Sequence, residues 1–140
     1  MEIKFRGMDF VGEWHYGFVV VGNEDAAILP RKTDGTVDMR IAYIVKKDSV
    51  GQYTGLHDKN GREIYEGDIV EMWRRKKYCK KSVLTRHVVT QYRACDWKFK
   101  PIEKGIPEYA MMGFTDHDSY MLHVVGNIHE KEKGNEEDNV

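Results

Sequence analysis

Ser49–Val70 reads SVGQYTGLHDKNGREIYEGDIV, and the reading of its two corners decides the fold. Asp58-Lys59-Asn60-Gly61 has the composition of a type I turn, with Asp at the first position to accept a bond from the turn backbone and Gly at the fourth. When such a turn closes a β-hairpin, its last residue takes a positive φ in a small bulge, which glycine does without a Cβ penalty. Counting back from Gly61 sets Leu56 opposite Ile64 on one face and Gly55 opposite Tyr65 on the other, and such cross-strand pairs fix register. Glu66-Gly67-Asp68 is a second corner. There the Asp68 carboxylate is expected to hydrogen-bond the corner's own backbone before the chain enters Ile69–Trp73.

Outward from this hairpin, short strand patterns alternate with turn signals. Ile3–Arg6 alternates apolar and basic residues, and Asp9–Gly12 reads as a turn. Trp14–Val21, WHYGFVVV, is a strand whose continuous apolar end predicts burial on both faces, with Gly17 marking a bulge or a close backbone approach. Gly22–Asp25 turns the chain into Ala26–Leu29, which Pro30 ends. Val37, Met39, Ile41, Tyr43 and Val45 occupy every second position, the clearest strand pattern in the chain. Beyond the hairpin, Val83–Tyr92 and Trp97–Lys100 read as strands, Tyr109–Phe114 as a short strand with a helical turn as the alternative, and Tyr120–Ile128 as the closing strand. Composition agrees: Val (14) and Ile (9) outnumber Leu (4) and Ala (5), a bias that favours strands.

Residues 51–70, GQYTGLHDKNGREIYEGDIV, resemble the central signature of the YopX family of phage and prophage proteins. Lys4-Phe5-Arg6-Gly7 and Val124-Val125-Gly126-Asn127-Ile128 are similar to that family's first and last blocks, in the same order. The resemblance implies a mainly β architecture and a phage-derived bacterial gene. It implies no activity, because the family has no established one, and so no catalytic residue is carried over.

The expected fold is mainly β with little helix: a small SH3-like barrel or barrel-like sheet assembly with an additional N-terminal β lobe. The tight hairpin followed by a Gly-Asp corner supports this by analogy. Residues 1–48 form the lobe in this reading, 49–129 the barrel-like domain, and 130–140 a disordered acidic tail with one apolar residue.

The formal charge of −1 hides an asymmetry. Residues 71–104 carry eleven Lys and Arg against three acids, whereas residues 1–70 carry nine against twelve. Arg74-Arg75-Lys76-Lys77-Tyr78-Cys79-Lys80-Lys81 concentrates that charge and cannot be buried. Arg74, Arg75, Lys76, Lys77, Lys80 and Lys81 are therefore candidate phosphate contacts, and Tyr78 a candidate stacking ring. Trp73, Tyr92 and Trp97 interleave with Arg93 and Lys98 in the same third of the chain. The competing reading is a solvated loop that keeps a β-rich protein soluble.

Other chemistry is poorly supported by the residues. Cys79 and Cys95 make no disulfide framework, the first residues do not read as a signal peptide, and no apolar run approaches a membrane span. Residence in the cytoplasm of a bacterial host is the expectation. Asp116-His117-Asp118, with His123 beyond, is a polar turn that needs no metal to explain it, so no metal or other cofactor is expected. No nucleophile elbow, phosphate loop or dinucleotide fingerprint is present, so an enzyme is not the expected class. The expected function is a non-enzymatic accessory binding module whose ligand is nucleic acid. The alternative is a self-assembling factor, or one that binds a phage or host protein, through charge-complementary surfaces.

Overall fold

The computed structural model describes residues 3–75, 82–93, 96–106, 109–110, 114 and 116–130. Its regular elements are almost all strands, arranged in two antiparallel sheets of six and five strands, so the mainly β expectation holds. Two compact units contribute them, residues 1–53 and 54–140. The sequence reading drew the division after residue 48, ahead of the strand through which it falls.

In the first unit, β1 (Phe5–Met8), β2 (Trp14–Val21), β3 (Ala26–Leu29), β4 (Tyr43–Val45) and the start of β5 (Gly51–His57) lie in the order β4-β3-β2-β1-β5. The β1–β2 turn is built by Asp9, whose Oδ1 accepts from the backbone N–H of Val11 (3.0 Å) and Glu13 (2.9 Å). Gly17 is a point of close approach, as its place in an apolar strand suggested: a Cβ there would run into the Leu29 carbonyl. Ala26, Ile28 and Val45 are buried and pack with Phe5, Val19 and Val50.

Two expectations fail in this unit. The period-2 run Val37–Val45 is a strand only at Tyr43–Val45. Asp38 explains the loss, because its Oδ1 accepts from the Arg40 N–H (3.0 Å) and from Arg40 Nε (3.2 Å). A short polar side chain that bonds the backbone two residues on makes a turn and competes with the ladder. Met39 and Ile41 are left exposed. The apolar end of β2 is likewise not buried on both faces, since Val20 is 58 % and Val21 54 % exposed.

In the second unit the rest of β5 pairs as a hairpin with β6 (Glu63–Tyr65). The turn is as the residues required. Gly61 has φ 79°, its N–H bonds the Asp58 carbonyl at 3.0 Å, and the Asp58 N–H bonds the Arg62 carbonyl at 2.8 Å. Leu56 and Ile64 both enter the core. Gly67, at φ 91°, forms the second corner: its N–H reaches the Val89 carbonyl and its own carbonyl accepts from Ile128. Asp68 is fully buried and its Oδ2 accepts from the Tyr65 N–H at 2.8 Å, the role expected of it.

The second sheet follows: β7 (Asp68–Arg75), β8 (Ser82–Arg93), β9 (Asp96–Pro101), β10 (Tyr109–Ala110) and β11 (Leu122–Asn127), in the order β10-β9-β8-β7-β11. Among the described residues it is open, with β10 and β11 at its edges, and does not close into a barrel. One face is the core: Leu56, Ile64, Val70, Met72, Val89, Trp97, Phe99, Leu122 and Val124, with Phe114 against them. Each such side chain contributes about 1.5–3 kcal/mol on burial. A 3-10 turn, Asp116–Met121, stands where the sequence suggested a turn and the first residues of the closing strand. The acidic tail from Lys131 on lies outside the described residues.

Asp58 ties the hairpin to the last strand. Its Oδ1 accepts from Asn60 (2.9 Å) and Arg62 (2.9 Å), while Oδ2 accepts from the Val124 N–H on β11 (3.0 Å). The Lys59 N–H adds a bond to the Leu122 carbonyl. The hairpin tip thus satisfies backbone groups of an edge strand, which would otherwise be a pairing liability. Burial pushes the Asp58 carboxyl up, but the N–H groups of Val124, Arg62 and Asn60, with the charge of His123, outweigh it and leave its pKa below the usual value of 3.8.

Candidate nucleic-acid interface

A strand turns alternate side chains to opposite faces, so burying one set in the core fixes what the other set presents. Along β7, Val70 and Met72 are buried while Glu71 and Trp73 point away. Along β8, Thr85, His87 and Val89 are buried while Leu84, Arg86, Val88 and Thr90 point away, and along β9 Trp97 and Phe99 are buried while Lys98 and Lys100 are not. Directly paired residues share a face. The registers therefore set Trp73 beside Leu84, His123 beside Glu71 and Arg86, Ile69 beside Val88 and Lys100, and Thr90 beside Lys98.

The result is a basic face with an aromatic ring at each end. Trp73 and Tyr92 are both 45 % exposed, and the Lys98 ammonium lies 5.8 Å from the Tyr92 ring centroid. Tyr92 falls where the β8–β9 register shifts, between Gln91 opposite Trp97 and Arg93 opposite Asp96. Glu71 approaches Arg86 at 3.9 Å, a long contact with an exposed guanidinium that does little to neutralise it.

Of the residues singled out in sequence, Arg74 and Arg75 continue β7, at register positions opposite Val83 and Ser82. Lys76, Lys77, Tyr78, Lys80 and Lys81 lie outside the described residues, as do Cys79 and Cys95. Trp73, Tyr92 and Lys98 share the outer face, but Trp97 does not: it is a core residue, 4 % exposed. Arg86 and Lys100 were missed as members of the site. The signal was present, since each alternates with a buried neighbour, but only pairing across strands shows that they meet.

Titratable groups elsewhere hold structure. His87 is fully buried, its Nε2 2.8 Å from the Thr85 hydroxyl and its ring edge-on to Phe99. Among the described residues, Asp9, Glu13 and His15 form a grouping with ligand-type atoms within 4.8 Å of one another. Both Asp9 oxygens are already engaged, Oδ1 in the turn and Oδ2 with His15 Nε2 at 2.8 Å. The His15 hydrogen bond is the main reason the Asp9 pKa is lowered, and the His15 ring stacks on Tyr43 with centroids 4.0 Å apart. No described helix is long and apolar enough to cross a membrane.

Two antiparallel sheets, the second with a packed inner face and a basic, aromatic outer one, define a mainly β protein whose surface chemistry lies on a sheet. The chain belongs to the YopX family, whose model, described as "YopX protein", matches residues 6–133. Among solved structures it is similar to protein EF1440 from Enterococcus faecalis, with 21 % identity over 93 % of this chain and 95 % of that one, at a TM-score of 0.48. No curated protein matches.

Proposed function

We propose that this protein is a non-enzymatic accessory factor, phage-derived and acting in the bacterial cytoplasm, that binds nucleic acid through its second unit. The observation that carries this reading is the convergence of Arg86, Lys98 and Lys100 with Trp73 and Tyr92 on one sheet face. The strand that bears Trp73 continues through Arg74 and Arg75 into the basic run. Lys and Arg on phosphates displace counterions, giving affinity with little dependence on base sequence. An SH3-like use of a small sheet as a docking platform is the nearest general analogue.

Electrophoretic shift at ~50 mM salt, where backbone contacts are strong, tests the reading. Binding of the parent should weaken with salt at about −0.9 in log K per phosphate contacted on duplex, and about −0.7 on single strands. Replacing Arg74, Arg75, Lys76 and Lys77 by Ser should flatten that slope with the fold intact. No shift with either form of nucleic acid would end the proposal.

A second reading rests on the first unit. Tyr16, Phe18, Val20 and Ile44 lie exposed on one face of its sheet, with the half-buried Ala27 and Leu29 beside them and the Arg31 guanidinium over the Phe18 ring. A contiguous apolar surface of this kind suits self-association or a protein partner. Sedimentation equilibrium distinguishes it: apolar association survives high salt, whereas pairing of acidic and basic surfaces does not.

A further inference from the structure

We infer, building on the nucleic-acid reading, that the outer face of the second sheet takes single-stranded nucleic acid, with unpaired bases stacking on Trp73 and Tyr92 and phosphates between them on Arg86, Lys98 and Lys100. Width is the first reason. The face spans β11, β7, β8 and β9, and four strands about 4.8 Å apart cover roughly 14 Å before side chains are added. The major groove of a duplex is about 12 Å wide and admits one helix or a two-stranded ribbon, so this sheet would meet a duplex only at its phosphate ridges.

The rings are the second reason. Trp73 pairs with Leu84, and Tyr92 lies eight positions further along β8, roughly 26 Å at about 3.3 Å per residue. Arg86, Lys100 beside Val88, and Lys98 beside Thr90 occupy the interval. A strand laid along this row places charge in the middle and a ring at either end, on the scale of the smaller single-strand footprints of about 4 nucleotides. In a duplex the base faces are already stacked on one another and both rings would go unused. Every unpaired base offers a π-face, so this stacking is tolerant of sequence.

Fluorescence anisotropy with a labelled 20-nucleotide oligo-dT and a labelled 20-base-pair duplex, at ~50 mM salt, tests the inference. The parent should prefer the single strand by at least about tenfold. Trp73→Ala and Tyr92→Ala should each weaken oligo-dT binding by about 5- to 150-fold, the range found when one stacking ring is removed, with the salt slope unchanged. Trp73→Phe should restore most of the affinity and shows that loss in the Ala variant is not unfolding. Equal affinity for the two probes, or full affinity in both Ala variants, overturns single-strand stacking and leaves phosphate binding standing. Failure to bind either probe overturns both.

Discussion

The outer face of the first sheet carries Tyr16, Phe18, Val20 and Ile44; that of the second carries Trp73, Arg86, Lys98, Lys100 and Tyr92. Both arise from the same alternation and both stand opposite a buried apolar set. Their physics is opposite. Association through the first would rest on apolar burial and survive salt, whereas association through the second would rest on counterion release and fade with it. Alternation determines which residues travel together on a face; the residue types determine what that face can hold.

The largest effect should come from breaking the first face at its support. Gly17→Ala places a Cβ against the Leu29 carbonyl, with Pro30 Cα also within 3.0 Å. The backbone there has φ 154°, so the strands must part or shift. A loss of about 3 kcal/mol is expected, seen as a fall in Tm of roughly 6–12 °C. A parent-like melting curve would mean that β2 and β3 do not approach this closely, and the apolar face would lose its basis.

The second face depends on Asp58, and Asp58→Asn should cost about 2 kcal/mol at neutral pH by weakening charged hydrogen bonds to Asn60, Arg62 and Val124. The folded pKa of Asp58 lies below its ordinary value, so its contribution is present above about pH 4 and is lost as pH falls through the folded pKa. Urea unfolding at pH 7 and pH 3 should therefore show a smaller acid loss in the Asn variant than in the parent. An equal loss in both would show that the carboxylate is not what holds the hairpin to β11.

The smallest stability effects sharpen the contrast most. Val20→Thr with Ile44→Thr, and separately Arg86→Ser with Lys100→Ser, should each change stability by less than about 1 kcal/mol, because the side chains are largely exposed. The apolar pair should alter only self-association measured at high salt, and the basic pair only the salt slope of nucleic-acid binding. Crossed effects, with the basic pair changing assembly, would favour charge-complementary self-assembly over either face as described.

Local features were legible because their causes are local. The Asp58–Gly61 turn, the Gly67-Asp68 corner, the boundaries of Trp14–Val21 and Ala26–Leu29, and the strand at Trp97–Lys100 follow from residues within a few positions. Val37–Val45 misled because periodicity was read without the competing bond from Asp38 to Arg40. Trp97 was grouped with exposed aromatics because composition does not say which face an aromatic takes.

By itself, the sequence determined the strand-rich class, the two corners, the basic third of the chain and the family to which it belongs. The first three are carried by composition or by contacts spanning fewer than about five residues, and the family by three short sequence blocks in order. Tertiary structure alone decided that the second oxygen of Asp58 is spent on Val124, 66 positions away, that Val20 and Val21, on opposite faces of β2, are both left exposed, and that Arg86 stands in register with Glu71 while Lys98 stands beside Thr90. These outcomes depend on which distant strand arrives as neighbour and in what register, and a one-dimensional period of two gives the face of a side chain but never its partner.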